Sequence, residues 1–345
     1  MAESQRALFF DEYEGPLEVR NIPIPEANDD ELLVQLKYSG ICHTDLHVWL
    51  GDMESMTTAP LVGGHEGAGE VIGVGAKVKD WKVGDKAGIK LFNNNCLFCE
   101  YCKNGHETSC EAKKGYGFKY PGTFEEFVVV RAVDAAKIPK DTDLAQAAPI
   151  MCAGVTVYRA LKESSVEQGQ IVVLTGAGGG LGSLGIQYAK AMGMRVLAID
   201  STDKKKLCEE LGAEWFVDGF EEEKVVEKVK ELTGGGAHGV VNLAVAMKPM
   251  EQSMEYVKAN GTVVLVGLPK DAKMTFDATQ FVFKALTLKG SLTGNRADVD
   301  SAMDFLARGA IKVPLEKVRL EDVGDVYKRM KDGKVNSRCV IDFSL

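Results

Sequence analysis

The chain has 345 residues, a length that predicts about two domains, each with its own hydrophobic core. Hydrophobic residues make up 45% and charged residues 26%, as in ordinary globular proteins. The net charge of −9 argues against a nucleic-acid partner, because phosphate backbones are bound through clustered Lys and Arg. No apolar run approaches the length of a membrane span, so no membrane partner is expected.

The first part of the chain, residues 1–153, is rich in glycine, proline and short runs with β character. Such runs occur at 31–36, 69–75 and 126–130. Their spacing predicts an antiparallel, partly barrel-like β domain.

After residue 153 the sequence pattern changes to one that predicts alternating strands and helices. Helical patterns at 184–192 and 222–232 separate apolar runs, and this rhythm predicts a doubly wound parallel sheet of the α/β class. The predicted strands are 171–175, 195–199, 215–217, 239–244, 262–266 and 286–288. Two later helices and a closing strand are expected to rejoin the first domain, and they are predicted at 299–307, 321–331 and 337–343.

Four cysteines, Cys96, Cys99, Cys102 and Cys110, are spaced C-x2-C-x2-C-x7-C in a polar, broken stretch. Zinc prefers four soft ligands in a tetrahedron, and two-residue spacers let neighbouring sulfurs turn toward one ion. The pattern therefore predicts a closed, structural zinc site. A disulfide knot is the alternative, but it needs an oxidising compartment that nothing else in the sequence indicates. We expect a reducing, cytoplasmic location.

A glycine-rich turn, GAGGGLG, follows the first strand of the alternating region and precedes a helix. Glycines permit a tight turn and let the backbone approach a pyrophosphate, which the N–H groups and dipole of the helix N-terminus attract. The strict G-x-G-x-x-G frame fits only Gly180, Gly182 and Gly185, and it places Gly185 inside the helix. We favour the looser frame Gly176, Gly179 and Gly182.

Asp200 ends the second strand of this region, about twenty residues beyond the glycines. A carboxylate there accepts hydrogen bonds from the adenosine ribose and repels a 2′-phosphate, so NAD is favoured over NADP. Lys204, Lys205 and Lys206 could instead attract that phosphate. The alternative for two of the three is a solvated first helical turn.

Three further residues of metal-ligand type, Cys42, His65 and Cys152, are dispersed along the chain in the segments CHTD, GHEG and PIMCAG. Three ligands that leave one position open are typical of catalytic zinc. A lone Cys is usually a small buried hydrophobe, however, and a lone His is usually a hydrogen-bonded polar residue. No local spacing joins the three, so the residues alone leave both interpretations open.

The chain resembles one family over essentially its whole length. Its segments are similar to those of the zinc-dependent medium-chain alcohol dehydrogenases, nearest to the tetrameric yeast-type enzymes. The similar segments are CHTDLH from Cys42, VGGHEGAG from Val62, the four-cysteine loop, residues 149–158, GGGAHGV from Gly234 and GNRAD from Gly294.

This resemblance implies a mainly antiparallel, GroES-like catalytic domain formed by residues 1–153 and 286–345. Between them, residues 154–285 would form an NAD-binding Rossmann domain. The implied reaction is reversible hydride transfer from a primary or secondary alcohol to NAD, with two Zn²⁺ per chain. A cytoplasmic homotetramer is implied as well.

The resemblance also assigns roles to metal-site residues where positions match. Cys42, His65 and Cys152 would bind the catalytic zinc, Asp45 would orient His65, and Glu66 would be able to approach the ion. The four-cysteine loop matches the family's structural zinc site without a gap. Cys208 and Cys339 match no ligand position and are expected to be ordinary thiols.

Catalytic and cofactor roles follow in the same way. Thr44 would hold the substrate oxygen through its hydroxyl, and His47 would end a proton relay to solvent. His43 and Arg338 would contact the pyrophosphate, and Lys205 the adenosine ribose beside Asp200. The remaining cofactor contacts would be Gly176, Gly179, Gly180, Leu181, Gly182 and Leu268.

Two positions depart from the yeast-type pattern, because Met53 and Leu91 replace tryptophans that narrow the pocket toward ethanol. The smaller or more flexible side chains favour branched, secondary or longer alcohols. Compensation by Phe92 or another neighbour is the alternative.

Three other functions share this fold. A polyol (sorbitol-type) dehydrogenase usually has a carboxylate as its third zinc ligand and often lacks the structural zinc, so Cys152 and the four-cysteine loop argue against it. A zinc-free quinone reductase would lack these cysteines. A non-catalytic scaffold would not need the complete set of ligand, relay and cofactor positions.

Overall fold

The computed structural model describes residues 3–221, 223–269, 272–335 and 337–345. Contacts between residues divide the chain into two units. Unit 1 contains the residues up to Cys152, Asn295–Arg308 and Val313–Leu345. Unit 2 contains Ala153–Gly294 and Gly309–Lys312.

The strands of the described residues are, in chain order, β1 (Ser4–Phe10), β2 (Glu18–Pro23), β3 (Glu31–Ile41), β4 (Leu61–Val62), β5 (Glu66–Val74), β6 (Lys86–Ile89), β7 (Phe92–Asn93), β8 (Lys114–Gly115), β9 (Phe127–Arg131), β10 (Ala136–Ile138), β11 (Ile171–Thr175), β12 (Arg195–Asp200), β13 (Trp215–Asp218), β14 (Ala237–Asn242), β15 (Val257–Leu265), β16 (Thr287–Gly290), β17 (Leu315–Val318) and β18 (Arg338–Asp342).

The α-helices are α1 (His43–Trp49), α2 (Glu100–Lys103), α3 (Leu144–Pro149), α4 (Val155–Glu163), α5 (Gly182–Ala191), α6 (Lys205–Leu211), α7 (Val225–Thr233), α8 (Met247–Tyr256), α9 (Ala278–Phe283), α10 (Arg296–Ala307) and α11 (Val323–Lys331). A π-helical turn, Ile150–Gly154, joins α3 to α4. Short 3₁₀ turns lie at Glu54–Met56, Glu107–Ser109, Thr202–Lys204 and Leu320–Asp322.

Unit 1 is built on a mainly antiparallel sheet in the order β10-β6-β5-β3-β18-β17, with β9 also paired to β3. The long strand β3 alternates buried and half-buried residues, and Leu32, Val34 and Leu36 point into an apolar core with residues of β5, β6 and β9. This period of two is what a strand with one core-facing side requires. The antiparallel β domain predicted for the first part of the chain is confirmed.

The C-terminal segment completes the sheet of unit 1. Strand β18, predicted at 337–343, lies between β3 and β17, and Cys339 stands opposite Ile41 of β3. The return to unit 1 begins at Asn295, however, later than the residue 286 expected from the sequence. The difference arises because β16 pairs with β15 and is the last strand of the parallel sheet of unit 2.

Unit 2 contains a six-stranded parallel sheet in the order β13-β12-β11-β14-β15-β16. All five residues of β11 are buried, as expected for a strand covered on both faces. The order reverses between β11 and β14, and doubly wound sheets bind ligands at the carboxyl ends of the strands beside that reversal. The six predicted strands are confirmed. The helix predicted at 222–232 begins at Val225, and Glu222 lies outside the described residues.

One helical stretch, Leu144–Glu163, is long and apolar enough to cross a membrane by length and composition. The sequence prediction of no run near that length is therefore wrong for this segment. Within it, 83% of the most apolar window is buried inside the protein, as in the core helix of a folded domain.

Unit 1 contains a buried acid, Glu125. Glu125 is 4% exposed, and its carboxyl accepts a 3.3 Å hydrogen bond from Gln5 Nε2. Burial raises the pKa of Glu125 to about 8. The folded protein therefore holds a proton on this group at pH values where an unfolded chain would not.

We expect Glu125→Gln to alter how the free energy of unfolding depends on pH. Between about pH 4.3, the ordinary glutamate pKa, and the raised folded value, the unfolded state binds fewer protons, so wild-type stability falls as pH rises through this window. The amide cannot ionise, so the variant should be the more stable protein at about pH 8, by at most about 5 kcal/mol, and similar to wild type at about pH 5.

Urea unfolding followed by tryptophan fluorescence at both pH values measures this difference. Glu111→Gln, at a solvent-exposed position, is the matched control and should show no pH-dependent gain. The same pH slope for wild type and Glu125→Gln would contradict the assignment.

Candidate functional site

Unit 1 brings together four side chains of metal-ligand type. Cys42 follows β3, His65 and Glu66 stand at the start of β5, and Cys152 lies in the π-helical turn. One potential ligand atom of each lies within 4.8 Å of those of the others. His65 and Glu66 are 0% exposed, and Cys42 and Cys152 are also buried. The structure thus gathers the three dispersed residues that only the resemblance had joined.

His65 is oriented by a neighbouring carboxylate. Its Nδ1 lies 2.8 Å from Asp45 Oδ1, and Asp45 Oδ2 accepts a 2.8 Å hydrogen bond from the backbone N–H of Cys42. His65 Nε2 is buried and has no hydrogen-bond partner among the described residues. Because Asp45 occupies Nδ1, the lone pair on Nε2 is available to a metal.

The electrostatics of the cluster favour charge on one sulfur. A hydrogen bond from the Cys152 thiol holds the pKa of Cys42 well below its usual range, and the same contact raises the pKa of Cys152. Desolvation acts against a charged imidazole, but the Asp45 carboxylate raises the pKa of His65 above its ordinary value. The cluster offers two sulfurs and one imidazole nitrogen, the unpartnered Nε2 of His65. This donor set fits Zn²⁺.

Glycines make room for this cluster. A Cβ at Gly40 would lie 2.0 Å from Glu66 Oε2, so the Glu66 side chain occupies the space that a side chain at position 40 would need. Gly64, immediately before His65, has φ +90°, a conformation that other residues rarely adopt. Met151 packs against Gly88, where a Cβ would lie 2.3 Å from the Met151 sulfur. This close contact fixes the position of the turn that carries Cys152. π-Helical turns of this kind occur frequently at functional sites.

Glu66 is paired with Arg338, a contact that sequence reasoning did not foresee. The Arg338 Nη2 donates to both carboxylate oxygens at 2.5 Å, and Arg338 is 5% exposed. Burial raises the pKa of Glu66 to about 7, against the opposing charge of Arg338. Arg338 Nε is buried without a partner among the residues that the structure describes. The guanidinium therefore holds Glu66 in place and keeps one N–H available.

The predicted relay residues lie on α1, directly after Cys42. Thr44 is half-buried and His43 is exposed. His47 Nδ1 lies 2.9 Å from Asp52 Oδ2, and its side chain is 26% exposed. This helix thus extends from the buried cluster to a histidine in contact with solvent.

The four-cysteine loop forms a second cluster in unit 1. One sulfur of each of Cys96, Cys99, Cys102 and Cys110 lies within 4.8 Å of the others, and all are free thiols. Backbone N–H groups point at sulfur: the Cys99 N–H donates to Cys96 Sγ at 3.3 Å, and the Cys96 N–H to Cys110 Sγ at 3.4 Å. Hydrogen bonds from the Phe98 backbone and its neighbours lower the pKa of Cys96 to about 6. This donor set fits a closed tetrathiolate zinc site.

Helix α10 anchors the loop. Arg296 Nη2 donates to Glu107 Oε1 at 2.7 Å, and Asn295 Nδ2 donates to the Gly105 carbonyl at 2.8 Å. Both partners belong to unit 1. Asn295 and Arg296 of the GNRAD segment, to which the resemblance assigned no role, thus bond to the cysteine loop.

Unit 2 contains the glycine-rich turn between β11 and α5. Gly176 has φ +65°, and a Cβ at Gly182 would lie 2.3 Å from the Gly176 carbonyl oxygen, so side chains are excluded at both positions. Leu181 is the N-cap of α5 and Gly185 lies inside the helix, as the looser frame requires. The turn leaves backbone rather than side chains beside the helix N-terminus, which fits a pyrophosphate.

Asp200 supports this turn from the end of β12. Its Oδ2 accepts a 2.8 Å hydrogen bond from the Gly178 N–H, and its Oδ1 accepts one from the Ser201 N–H. Lys205 and Lys206 have side chains 54% and 87% exposed, while Lys204 covers Gly178 with its aliphatic carbons. Leu268, beyond β15, is 58% exposed.

The two positions that differ from the yeast-type pattern lie in one apolar cluster of unit 1. Leu91 is buried there with Phe10, Val48, Leu61 and Phe118, and Met53 and Phe92 pack against this cluster. Val48 immediately follows His47 on α1. The cluster that contains Met53, Leu91 and Phe92 therefore packs against α1, the helix that carries His47.

Two family models match the chain. Residues 28–140 match the alcohol dehydrogenase GroES-like domain, and residues 180–308 match the zinc-binding dehydrogenase domain.

Known proteins are similar over the full length. Alcohol dehydrogenase 1 of Caenorhabditis elegans is 64% identical over 345 residues, 100% of this chain and 99% of the relative. Alcohol dehydrogenase 2 of the same species is 57% identical over 342 residues, 99% and 97% of the two chains. The solved alcohol dehydrogenase of the archaeon Aeropyrum pernix has a TM-score of 0.89 at 28% identity, covering 98% of this chain and 99% of that one. The chain therefore belongs to the zinc-dependent medium-chain alcohol dehydrogenase family.

Proposed function

We propose that this chain is an alcohol dehydrogenase that transfers hydride reversibly between a primary or secondary alcohol and NAD, giving an aldehyde or ketone and NADH. One observation carries the proposal: the unpartnered Nε2 of buried His65 lies beside the sulfurs of Cys42 and Cys152 while Asp45 fixes the ring. A cysteine rather than a carboxylate in the third position favours this reaction over that of a polyol dehydrogenase.

The residues of unit 1 would bind zinc and move the proton. The chemistry that zinc supplies in such a site is Lewis acidity, which lowers the pKa of a bound hydroxyl toward about 7. Two thiolates balance the charge of the ion, and the neutral imidazole adds none. Thr44 would take up the substrate hydroxyl proton while releasing its own proton into the relay, and the half-exposed His47 would accept the relayed proton and pass it to solvent.

The residues of unit 2 would hold the coenzyme, whose nicotinamide supplies the hydride acceptor. The turn from Gly176 to Gly182 would bind the pyrophosphate. The resemblance also assigns pyrophosphate contacts to His43 and Arg338 of unit 1, and that assignment stays a prediction. Asp200 is fixed by the Gly178 N–H and would accept the ribose hydroxyls, with Lys205 beside it. A carboxylate at this place repels a 2′-phosphate, which favours NAD.

We also propose a cytoplasmic homotetramer. Eight free cysteines suit a reducing compartment. On unit 2, β16 is the edge strand of the sheet, and Val282 and Phe283 of the preceding helix α9 are 74% and 86% exposed. An edge strand and exposed apolar side chains support association with a second copy. Sedimentation equilibrium measures the mass of the resulting assembly.

A substrate panel tests the proposed reaction. We expect NAD reduction at 340 nm with ethanol and 2-propanol, a lower kcat/KM with NADP, and two zinc ions per chain by metal analysis. Absence of turnover with every alcohol, in protein that carries both zinc ions, would favour a non-catalytic scaffold. The ratio of kcat/KM for primary alcohols to kcat/KM for secondary alcohols also shows whether Met53 and Leu91 widen the pocket or Phe92 compensates for them.

Cys152→Ser should remove one zinc ion and spare the other. We expect kcat/KM to fall by about a thousandfold or more, because a Lewis-acid site contributes several kcal/mol to transition-state stabilisation. Cys208→Ser, at another buried thiol in unit 2, is the matched control and should retain activity and both ions. Full activity in Cys152→Ser would remove this residue from the metal site.

His47→Gln should slow turnover near neutral pH and leave zinc content intact. The loss of a positioned proton acceptor should lower kcat by up to about a hundredfold, and the deficit should shrink at alkaline pH, where hydroxide accepts the proton. The pH–rate profile measures this, with His106→Gln at an exposed position as the control. A profile identical to that of wild type would contradict the relay.

A further inference from the structure

The turn that carries His65 is held along one side by a short segment, Gly122–Phe124, which we call the clamp segment. The N–H groups of Gly122, Thr123 and Phe124 donate to the carbonyls of Val62, Gly64 and Gly63 at 2.9, 3.0 and 2.9 Å. Three consecutive carbonyls before His65 are thus held by three consecutive donors. Because of these three hydrogen bonds, the backbone before His65 can move only together with the clamp segment.

The side chain of Thr123 reaches both sides of the His65–Glu66 pair. A Cβ at Gly64 would lie 2.8 Å from Thr123 Oγ1, and one at Gly67 would lie 2.9 Å from Thr123 Cγ2. Thr123 is 0% exposed. Gly67 therefore leaves space that Thr123 occupies, and Gly64 leaves space that Thr123 shares with the ring of Phe124.

The hydroxyl of Thr123 is tied to the strand that leads to Cys42. Ser39 Oγ lies 2.7 Å from Thr123 Oγ1, and Ser39 is also 0% exposed. Ser39 belongs to β3, stands opposite Gly67 of β5 and precedes Cys42 by three positions. This single hydroxyl pair joins the strand that ends at Cys42 to the segment that clamps His65.

We propose that Ser39 and Thr123 are positioning residues for the catalytic metal site, acting through the clamp segment on the separation of Cys42 and His65. This inference rests on the proposed function, because it assumes that the two residues share a metal ion. Metal sites demand ligand positions accurate to about 0.5 Å, and loss of a partner that orients a ligand typically weakens metal binding about 10- to 100-fold.

Cobalt binding to the metal-free full-length protein tests the pair without relying on activity. Thr123→Val keeps the shape and removes the hydroxyl, Thr123→Ser keeps the hydroxyl, and Ser39→Ala removes its partner. Thiolate-to-cobalt charge transfer and d–d absorption report each site, and Cys152→Ser identifies the bands of the four-cysteine site. Ser253→Ala is the matched control, because it removes a fully buried, hydrogen-bonded hydroxyl in unit 2.

We expect Thr123→Val and Ser39→Ala to raise the dissociation constant of the three-ligand site about tenfold and to shift its d–d bands, with the four-cysteine site unchanged. Thr123→Ser should stay near wild type. The double variant Ser39→Ala/Thr123→Val should bind about as weakly as either single variant, since the pair acts as one unit.

Wild-type affinity in both single variants, or an equal loss in Ser253→Ala, would overturn the positioning role and leave the proposed function standing. If wild-type protein bound cobalt only at the four-cysteine site, the proposed function would fail and the inference with it.

Discussion

The cluster of Cys42, His65 and Cys152 depends on one buried carboxylate. Asp45 accepts the backbone N–H of Cys42 with one oxygen and meets His65 Nδ1 with the other, and it is 3% exposed. A buried carboxylate is costly unless its oxygens are hydrogen-bonded, and both oxygens here have partners. The same contacts that make Asp45 tolerable in the interior turn the remaining lone pair of His65 toward the sulfurs. Packing and ligand geometry are therefore satisfied by one arrangement.

The two units offer groups that suit ligands of opposite charge. Unit 1 collects soft, polarisable donors in a buried place, where a cation would meet sulfur and nitrogen instead of water. At its glycine turn, unit 2 instead has no side chains at Gly176 and Gly182, so the backbone N–H dipoles there are suited to an anion. The lesser polar contacts, such as the Gly178–Asp200 bond, keep that backbone in one shape.

Features coded by neighbouring residues were predictable from the sequence. The cysteine spacing, the glycine turn and the apolar run of β11 each lie within a few consecutive positions, so local chemistry sufficed. The Cys42, His65 and Cys152 cluster was not predictable in that way, because its members meet only through tertiary folding. Resemblance to a family brought them together before the geometry did.

Other contacts escaped both kinds of reasoning. Glu66 and Arg338 are 272 positions apart in the chain, and nothing near either residue signals the other. Gly40 gives no sign in the sequence that it makes space for Glu66. The later return to unit 1 was missed although 286–288 was predicted as a strand of the parallel sheet, because the domain boundary implied by the resemblance was placed at residue 286, before that strand.

The place of β18 in the sheet has a consequence for folding. Strand β3, which leads to Cys42, pairs with β5 and β9 from the first part of the chain and with β18 from beyond unit 2. Because closing a longer loop costs more chain entropy, the pairing of β3 with β18 is expected to form after its pairings with β5 and β9. Arg338 is the first residue of β18, so the contact that holds Glu66 depends on the most non-local pairing of this strand.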